Sequence, residues 1–100
     1  MPKKLQISVR FFTVLREIAD KKEDKIIFIN GEKNTVNTLL RRLSQKYGKR
    51  FEEYIYDSQG NIRGYLQFFV NGQSIAGLNG LETELVEGDI LAIVPPVGGG

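Results

Sequence analysis

The chain has 100 residues, 41% of them apolar, with 14 Lys and Arg against 12 Asp and Glu, a net charge of +2, and neither Cys nor His. A chain of this length makes one domain, able to bury about two-thirds of the surface that its unfolded form exposes. The missing residue types exclude a disulfide framework, a thiolate nucleophile, and Ser/His/Asp or Cys/His catalysis, and no metal site is expected.

Residues 5–12 alternate, with Leu5, Ile7, Val9 and Phe11 on one face and Gln6, Ser8, Arg10 and Phe12 on the other, which predicts a half-buried strand. Val14, Leu15 and Ile18 then fall at helical spacing, predicting a short helical turn within 13–19 and a charged loop over 20–24. Residues 25–29 are rich in β-branched side chains and read as a second strand paired with the first, closed by Asn30-Gly31. Thr35 is placed to cap a helix carrying Val36, Leu39, Leu40, Leu43 and Tyr47 on one stripe, with Gly48 as its stop. Phe51, Tyr54 and Ile55 predict one further helical turn, and residues 57–61 a loop. A third strand over 66–70 runs into Asn71-Gly72, a strong hairpin signal, so a short fourth strand over 73–75 is expected to pair back. Leu81 and Leu85 anchor an irregular or 3₁₀ stretch, Gly88-Asp89 turns the chain, and a fifth strand over 90–94 is ended by Pro95-Pro96, which cannot donate to a ladder.

This order predicts an α+β domain, with one main helix on one face of a five-stranded sheet whose other face is open. The first and last strands are the most apolar and are expected at its centre. Arg41, Arg42, Lys46, Lys49 and Arg50 read as the solvated face of a helix, and with so small a net charge a nucleic-acid partner is not expected. No apolar run is near the about 20 residues that a membrane helix needs. The start, Met1-Pro2-Lys3-Lys4, leads into alternation rather than an apolar stretch, which predicts no signal peptide, no membrane partner and a cytoplasmic location.

The chain closes on Gly88-Asp89, an apolar strand, Pro95-Pro96-Val97 and Gly98-Gly99-Gly100. This ending resembles that of the small subunit of molybdopterin synthase, in which Pro-Pro-Val, one small residue and Gly-Gly follow a Gly-Asp turn and a strand. The Phe11-Phe12 pair with Arg16-Glu17 behind it, Thr35-Val36 opening a leucine-rich helix, and Val70-Asn71-Gly72 are also similar to that family. Gly98 stands where relatives often carry Ala, and the segment 47–65 is longer than in the shortest members. The resemblance implies a ubiquitin-like β-grasp domain over residues 1–94 and a flexible tail over 95–100.

It also implies a carrier that is not an enzyme by itself and binds no permanent cofactor. A separate adenylating enzyme, resembling the E1 enzymes of ubiquitin-like systems, would use ATP to convert the Gly100 carboxylate into an acyl-adenylate. Sulfur would then replace AMP. The resulting thiocarboxylate would deliver sulfide to a precursor bound by the large subunit of molybdopterin synthase. Gly98 and Gly99 would thread a narrow channel as bare backbone, and Pro95 and Pro96 would stiffen the root of the tail. The six residues 95–100 can extend about 20 Å. Phe12, Phe69 and Val94 are expected outward on the open sheet face, where they would make an apolar patch for these partners. Other members of this wider class are joined to lysines of target proteins through the same tail, or serve tRNA thiolation or thiamine synthesis. An RNA-binding β-grasp module is a third reading, one that leaves the tail unexplained.

Overall fold

The computed structural model describes residues 4–29 and 32–96. Five strands, β1 (Lys4–Arg10), β2 (Glu23–Ile29), β3 (Gln67–Val70), β4 (Gln73–Ser74) and β5 (Ile90–Val94), form one mixed sheet in the order β2-β1-β5-β3-β4. β1 and β5 run parallel, and the other neighbours are antiparallel. The two most apolar strands are therefore interior to the sheet, as their composition predicts. Three helices, α1 (Val14–Ala19), α2 (Val36–Tyr47) and α3 (Lys49–Ile55), bury their apolar sides in a single core.

Alternation decides what enters that core. Ile7, Val9 and Phe11 from β1, Leu66, Phe68 and Val70 from and beside β3, and Leu91 and Ile93 from β5 are all buried. Val36, Leu39, Leu40 and Leu43 of α2 meet them. Thr35 caps α2 by accepting a hydrogen bond from the Thr38 N–H at 3.3 Å, and the Val36 N–H donates to the Thr83 carbonyl at 3.1 Å. Gly48, at φ 89°, ends α2 and lets α3 start at once, so that Phe51 and Ile55 reach the core. The extra helical turn expected there is a helix of seven residues.

Several boundaries differ from the sequence reading. β1 stops at Arg10 because the chain turns at Thr13, whose φ is 49°. β2 begins at Glu23, earlier than expected, because its register with β1 runs on to the pair Arg10↔Glu23. The charged loop is thereby shortened, and Asp24 falls on the core side of β2. β4 holds only Gln73 and Ser74, since Ile75 turns inward and opens a 3₁₀ turn over Ile75–Gly77. A second 3₁₀ turn covers Gly80–Glu82.

Asp24 explains part of the basic stripe. Its carboxylate accepts hydrogen bonds from Lys46 Nζ at 2.6 Å, from the Tyr47 hydroxyl, and from the Lys25 N–H at 2.8 Å. Lys46 is thus not merely solvated; it ties α2 to β2. Arg42 also leaves the solvated set, donating to the Ile27 carbonyl at 2.6 Å. Burial alone would push the Asp24 carboxyl up, but the hydrogen bonds from Lys46, Tyr47 and Lys25 prevail and hold it below its ordinary value. Burial, and then the Asp24 carboxylate, push the Tyr47 phenol well above the usual tyrosine range. The stability that Asp24 carries is full above the unfolded pKa, about 3.9, and is lost as pH falls through the lower folded value. Asp24→Asn is expected to cost about 1–3 kcal/mol at neutral pH. It should also flatten the acid limb of stability. Thermal melts of parent and variant from about pH 2 to pH 7 check both effects, and an unchanged acid limb would remove Asp24 from that role.

Candidate functional site

The open side of the sheet is built from the residues that alternation leaves over. The register sets Arg10 of β1, Ala92 of β5 and Phe69 of β3 in one row, since Arg10↔Ala92 and Phe69↔Ala92 are both paired. One step further along β5, Val94 pairs with Gln67. Phe12 lies two residues beyond Arg10, just as Val94 lies two beyond Ala92. Because β1 and β5 are parallel, Phe12 and Val94 leave the sheet at the same end. Phe12, Phe69 and Val94 are all half-buried, whereas their chain neighbours Phe11, Phe68 and Ile93 are buried. Adjacent strands lie about 4.8 Å apart, which puts Val94 on the strand between Phe12 and Phe69, themselves two strands apart on the open face.

The end of this patch is positively charged. The Arg16 guanidinium carbon stands 5.5 Å from the centre of the Phe12 ring, and Arg16 Nε donates to the Phe11 carbonyl at 2.9 Å. That bond fixes the turn that presents Phe12. Arg10 is paired with Glu23 at 3.3 Å, and Lys22 lines the same shallow cleft.

β5 is the middle strand of the sheet, and its C-terminal end is where the chain departs toward the glycines. Pro95 and Pro96 are half-buried, so the root of the tail is partly packed. Gly98, Gly99 and Gly100, expected to thread a partner and carry the reactive carboxylate, lie outside the described residues, as does Val97. Among the described residues no group of acidic side chains is clustered to hold a metal ion, and no helix is long and apolar enough to cross a membrane.

Sequence reasoning missed the residue that fixes the start of β5. Asp89 is buried, and one carboxylate oxygen accepts from Asn71 Nδ2 at 2.8 Å while the other accepts from the Val86 N–H at 2.8 Å. Asn71 Oδ1 in turn accepts from the Ile90 N–H at 3.0 Å. The β3–β4 turn, with φ of 52° at Asn71 and 83° at Gly72, is thereby bolted to the strand that bears the tail. Asn71-Gly72 and Gly88-Asp89 read separately as two turn signals; their coupling carries no local pattern.

The sequence matches the ThiS family over residues 9–100. The chain belongs to the ThiS family. A candidate sulfur carrier protein of Archaeoglobus fulgidus is 44% identical over 72 residues, which is 72% of this chain and 81% of that protein. Small archaeal modifier protein 3 of Haloferax volcanii is 30% identical over 96 residues, 96% of this chain and all of that one. Among solved structures, small archaeal modifier protein 1 of Methanosarcina acetivorans superimposes with a TM-score of 0.77 at 30% identity, covering 98% of this chain and 99% of its own. A structure described as molybdopterin converting factor subunit 1 of Pyrococcus furiosus gives 0.69 at 25% identity, covering 93% and 99%. This ThiS-family chain therefore has the ubiquitin-like β-grasp fold and stands among small sulfur carriers and ubiquitin-like modifiers.

Proposed function

We propose that this ThiS-family protein is a sulfur carrier for molybdopterin formation. The observation that supports this best is spatial: among the described residues the half-buried phenylalanines, Phe12 and Phe69, share the open face with Val94, and Phe12 and Val94 stand at the end of the sheet from which the chain leaves toward the diglycine. A partner seated on this patch would receive the tail directly. In the proposed chemistry a Gly100 carboxylate oxygen attacks the α-phosphorus of ATP on an adenylating enzyme, and pyrophosphate leaves. A sulfur nucleophile then displaces AMP, and the thiocarboxylate passes to the large subunit of molybdopterin synthase, where its sulfur is transferred. The partners hold the acid–base groups; this chain contributes its docking face and its terminal carbonyl. Pro-Pro-Val before the glycines favours this branch over thiamine sulfur transfer.

The test is the intact mass of the protein purified with its native C-terminus from its own cells. Replacement of one oxygen by sulfur is expected, and its absence under molybdenum-cofactor demand would overturn the carrier role. A second reading rests on the modifier relatives, which are 30% identical over nearly the whole chain. Under it Gly100 is joined to lysines of other proteins, and lysine-linked conjugates should accumulate in cell extract.

The tail makes a steric prediction. A Cβ near the terminus must fit a channel shaped for bare backbone. Gly99→Val is expected to lower the rate of adenylate formation far more than Gly98→Ala, because relatives often carry Ala at the latter position. Equal rates for the two variants would argue against a threaded tail.

A further inference from the structure

We propose that the outer edge of β2 is a strand-pairing surface held shut by Arg42 and Glu32, and that its occupant when released is β2 of a second copy of this chain. Among the described residues β2 ends the sheet and pairs on one side only, with β1. The Phe11 N–H donates to the Lys22 carbonyl at 2.9 Å, which fixes the alternation of the ladder. Even-numbered residues of β2 bond to β1, so Lys25, Ile27 and Ile29 aim their backbone groups away from the sheet. A bare edge of this kind is a template for another strand.

Here the edge is covered by side chains. The Ile27 carbonyl accepts from Arg42 Nη1 at 2.6 Å, reaching across from α2. The Ile29 N–H donates to Glu32 Oε2 at 2.6 Å, and the Ile29 carbonyl accepts from the Glu32 N–H at 3.0 Å. The Lys25 N–H donates to Asp24 Oδ1. Arg42 and Glu32 also meet each other at 3.5 Å, and the Arg42 guanidinium lies 5.0 Å from the Phe28 ring centre. Both side chains are about one-third exposed, so water competes for the pair and the clamp is held by modest energies.

The sequence of β2 selects the occupant. Two copies placed antiparallel about Ile27 set Ile27 against Ile27 and Lys25 against Ile29, which brings no like charges opposite each other. On the core side the same register sets Ile26 against Phe28 twice, continuing an apolar surface. This pairing would use the N–H and carbonyl groups of Lys25, Ile27 and Ile29, of which Arg42 now holds the Ile27 carbonyl, Glu32 both groups of Ile29 and Asp24 the Lys25 N–H. Ile27 and Ile29 are already exposed, at 36% and 50%, on the open side of the strand. Centring the pair on Lys25 would oppose two ammonium groups. Pairing through β2 leaves Phe12, Phe69 and Val94 uncovered, so the inference stands apart from the carrier reading.

The experiment compares the full chain with Arg42→Ala, Glu32→Ala and the double variant by sedimentation velocity over a concentration series. Thermal melts establish that each is folded, and Arg42→Ala alone serves if the double variant melts too low. The parent should sediment as one chain. Releasing the clamp should double the sedimenting mass with rising concentration, and the Ile27 amide should gain protection from hydrogen exchange. Adding Ile27→Lys, which sets two like charges face to face on the two-fold axis, should return the mass to one chain. A folded variant that stays a single chain at every concentration overturns the proposal. So does a parent that is already a dimer, growth beyond a dimer, or a dimer indifferent to Ile27→Lys.

Discussion

Deleting Gly99 and Gly100 is expected to abolish ATP-dependent adenylate formation while leaving the melting temperature of the domain unchanged. On the proposed carrier reading the reacting carboxylate must reach the α-phosphorus of an ATP held in the partner's active site. Each residue removed draws the carboxylate back by about 3.5 Å, so two residues withdraw it by about 7 Å. A near-attack geometry has the reacting atoms about 3–3.5 Å apart, and a displacement of that size leaves no productive encounter. Appending residues after Gly100 should be equally damaging, since it replaces the Gly100 carboxylate with a neutral amide, which has no anionic oxygen to attack phosphorus. The domain itself should not respond. The buried core ends at Ile93, and changes away from core and network features usually lie within about 0.5 kcal/mol. The measurements are pyrophosphate exchange with the cognate adenylating enzyme and a thermal melt of each variant. Full exchange activity with an extension that is not processed off would remove Gly100 from the reaction.

How far the sequence could be read depends on the range of each interaction. The α2 stripe, the Gly48 break and the Asn71-Gly72 hairpin are carried by residues within a few positions of one another, and the structure places them as their local chemistry predicts. The inward and outward sets of β1, β3 and β5 follow from alternation alone, so the half-buried Phe12, Phe69 and Val94 were legible as a group on the open face. Interactions between charged or polar side chains far apart in the chain were not. Asp24 joins Lys46 and Tyr47 from 22 and 23 residues away, and Asp89 joins Asn71 from 18. A signal for Asp24 did exist. It shares the parity of Ile26 and Phe28, and extending β2 by two residues would have put a carboxylate on the core side, where it needs a partner. Arg42 had no such signal. It lies beside Arg41 in a run of basic residues, and only the approach of α2 to the edge of β2 gives it a distinct role. The candidate reactive end, Gly98 to Gly100, rests on the resemblance and the family match.

Phe11→Ala and Phe12→Ala are adjacent substitutions with opposite expected outcomes. The Phe11 side chain is fully enclosed, with its ring edge-on to Tyr47 at 5.7 Å and to Phe51 at 6.3 Å between centres. Truncating a buried Phe costs about 3–5 kcal/mol, a large share of the about 5–15 kcal/mol that holds a domain folded. Phe11→Ala should therefore melt far below the parent, and Phe11→Leu, which keeps most of the volume, should recover much of the loss. Phe12 keeps one side in water and meets Arg16 on the other, so Phe12→Ala should cost about 1 kcal/mol or less. Binding should reverse the order. An aromatic anchor at the centre of an interface contributes about 2 kcal/mol or more, a loss of over tenfold in affinity on truncation. On the proposed carrier reading, Phe12→Ala should weaken binding to the adenylating enzyme and to the large synthase subunit by at least that factor. Phe11→Leu, folded and with Phe12 intact, should bind as the parent does. Thermal melts and titration calorimetry of the three variants separate the two effects. If Phe12→Ala binds like the parent, or melts as early as Phe11→Ala, the open face around Phe12 is not the docking surface.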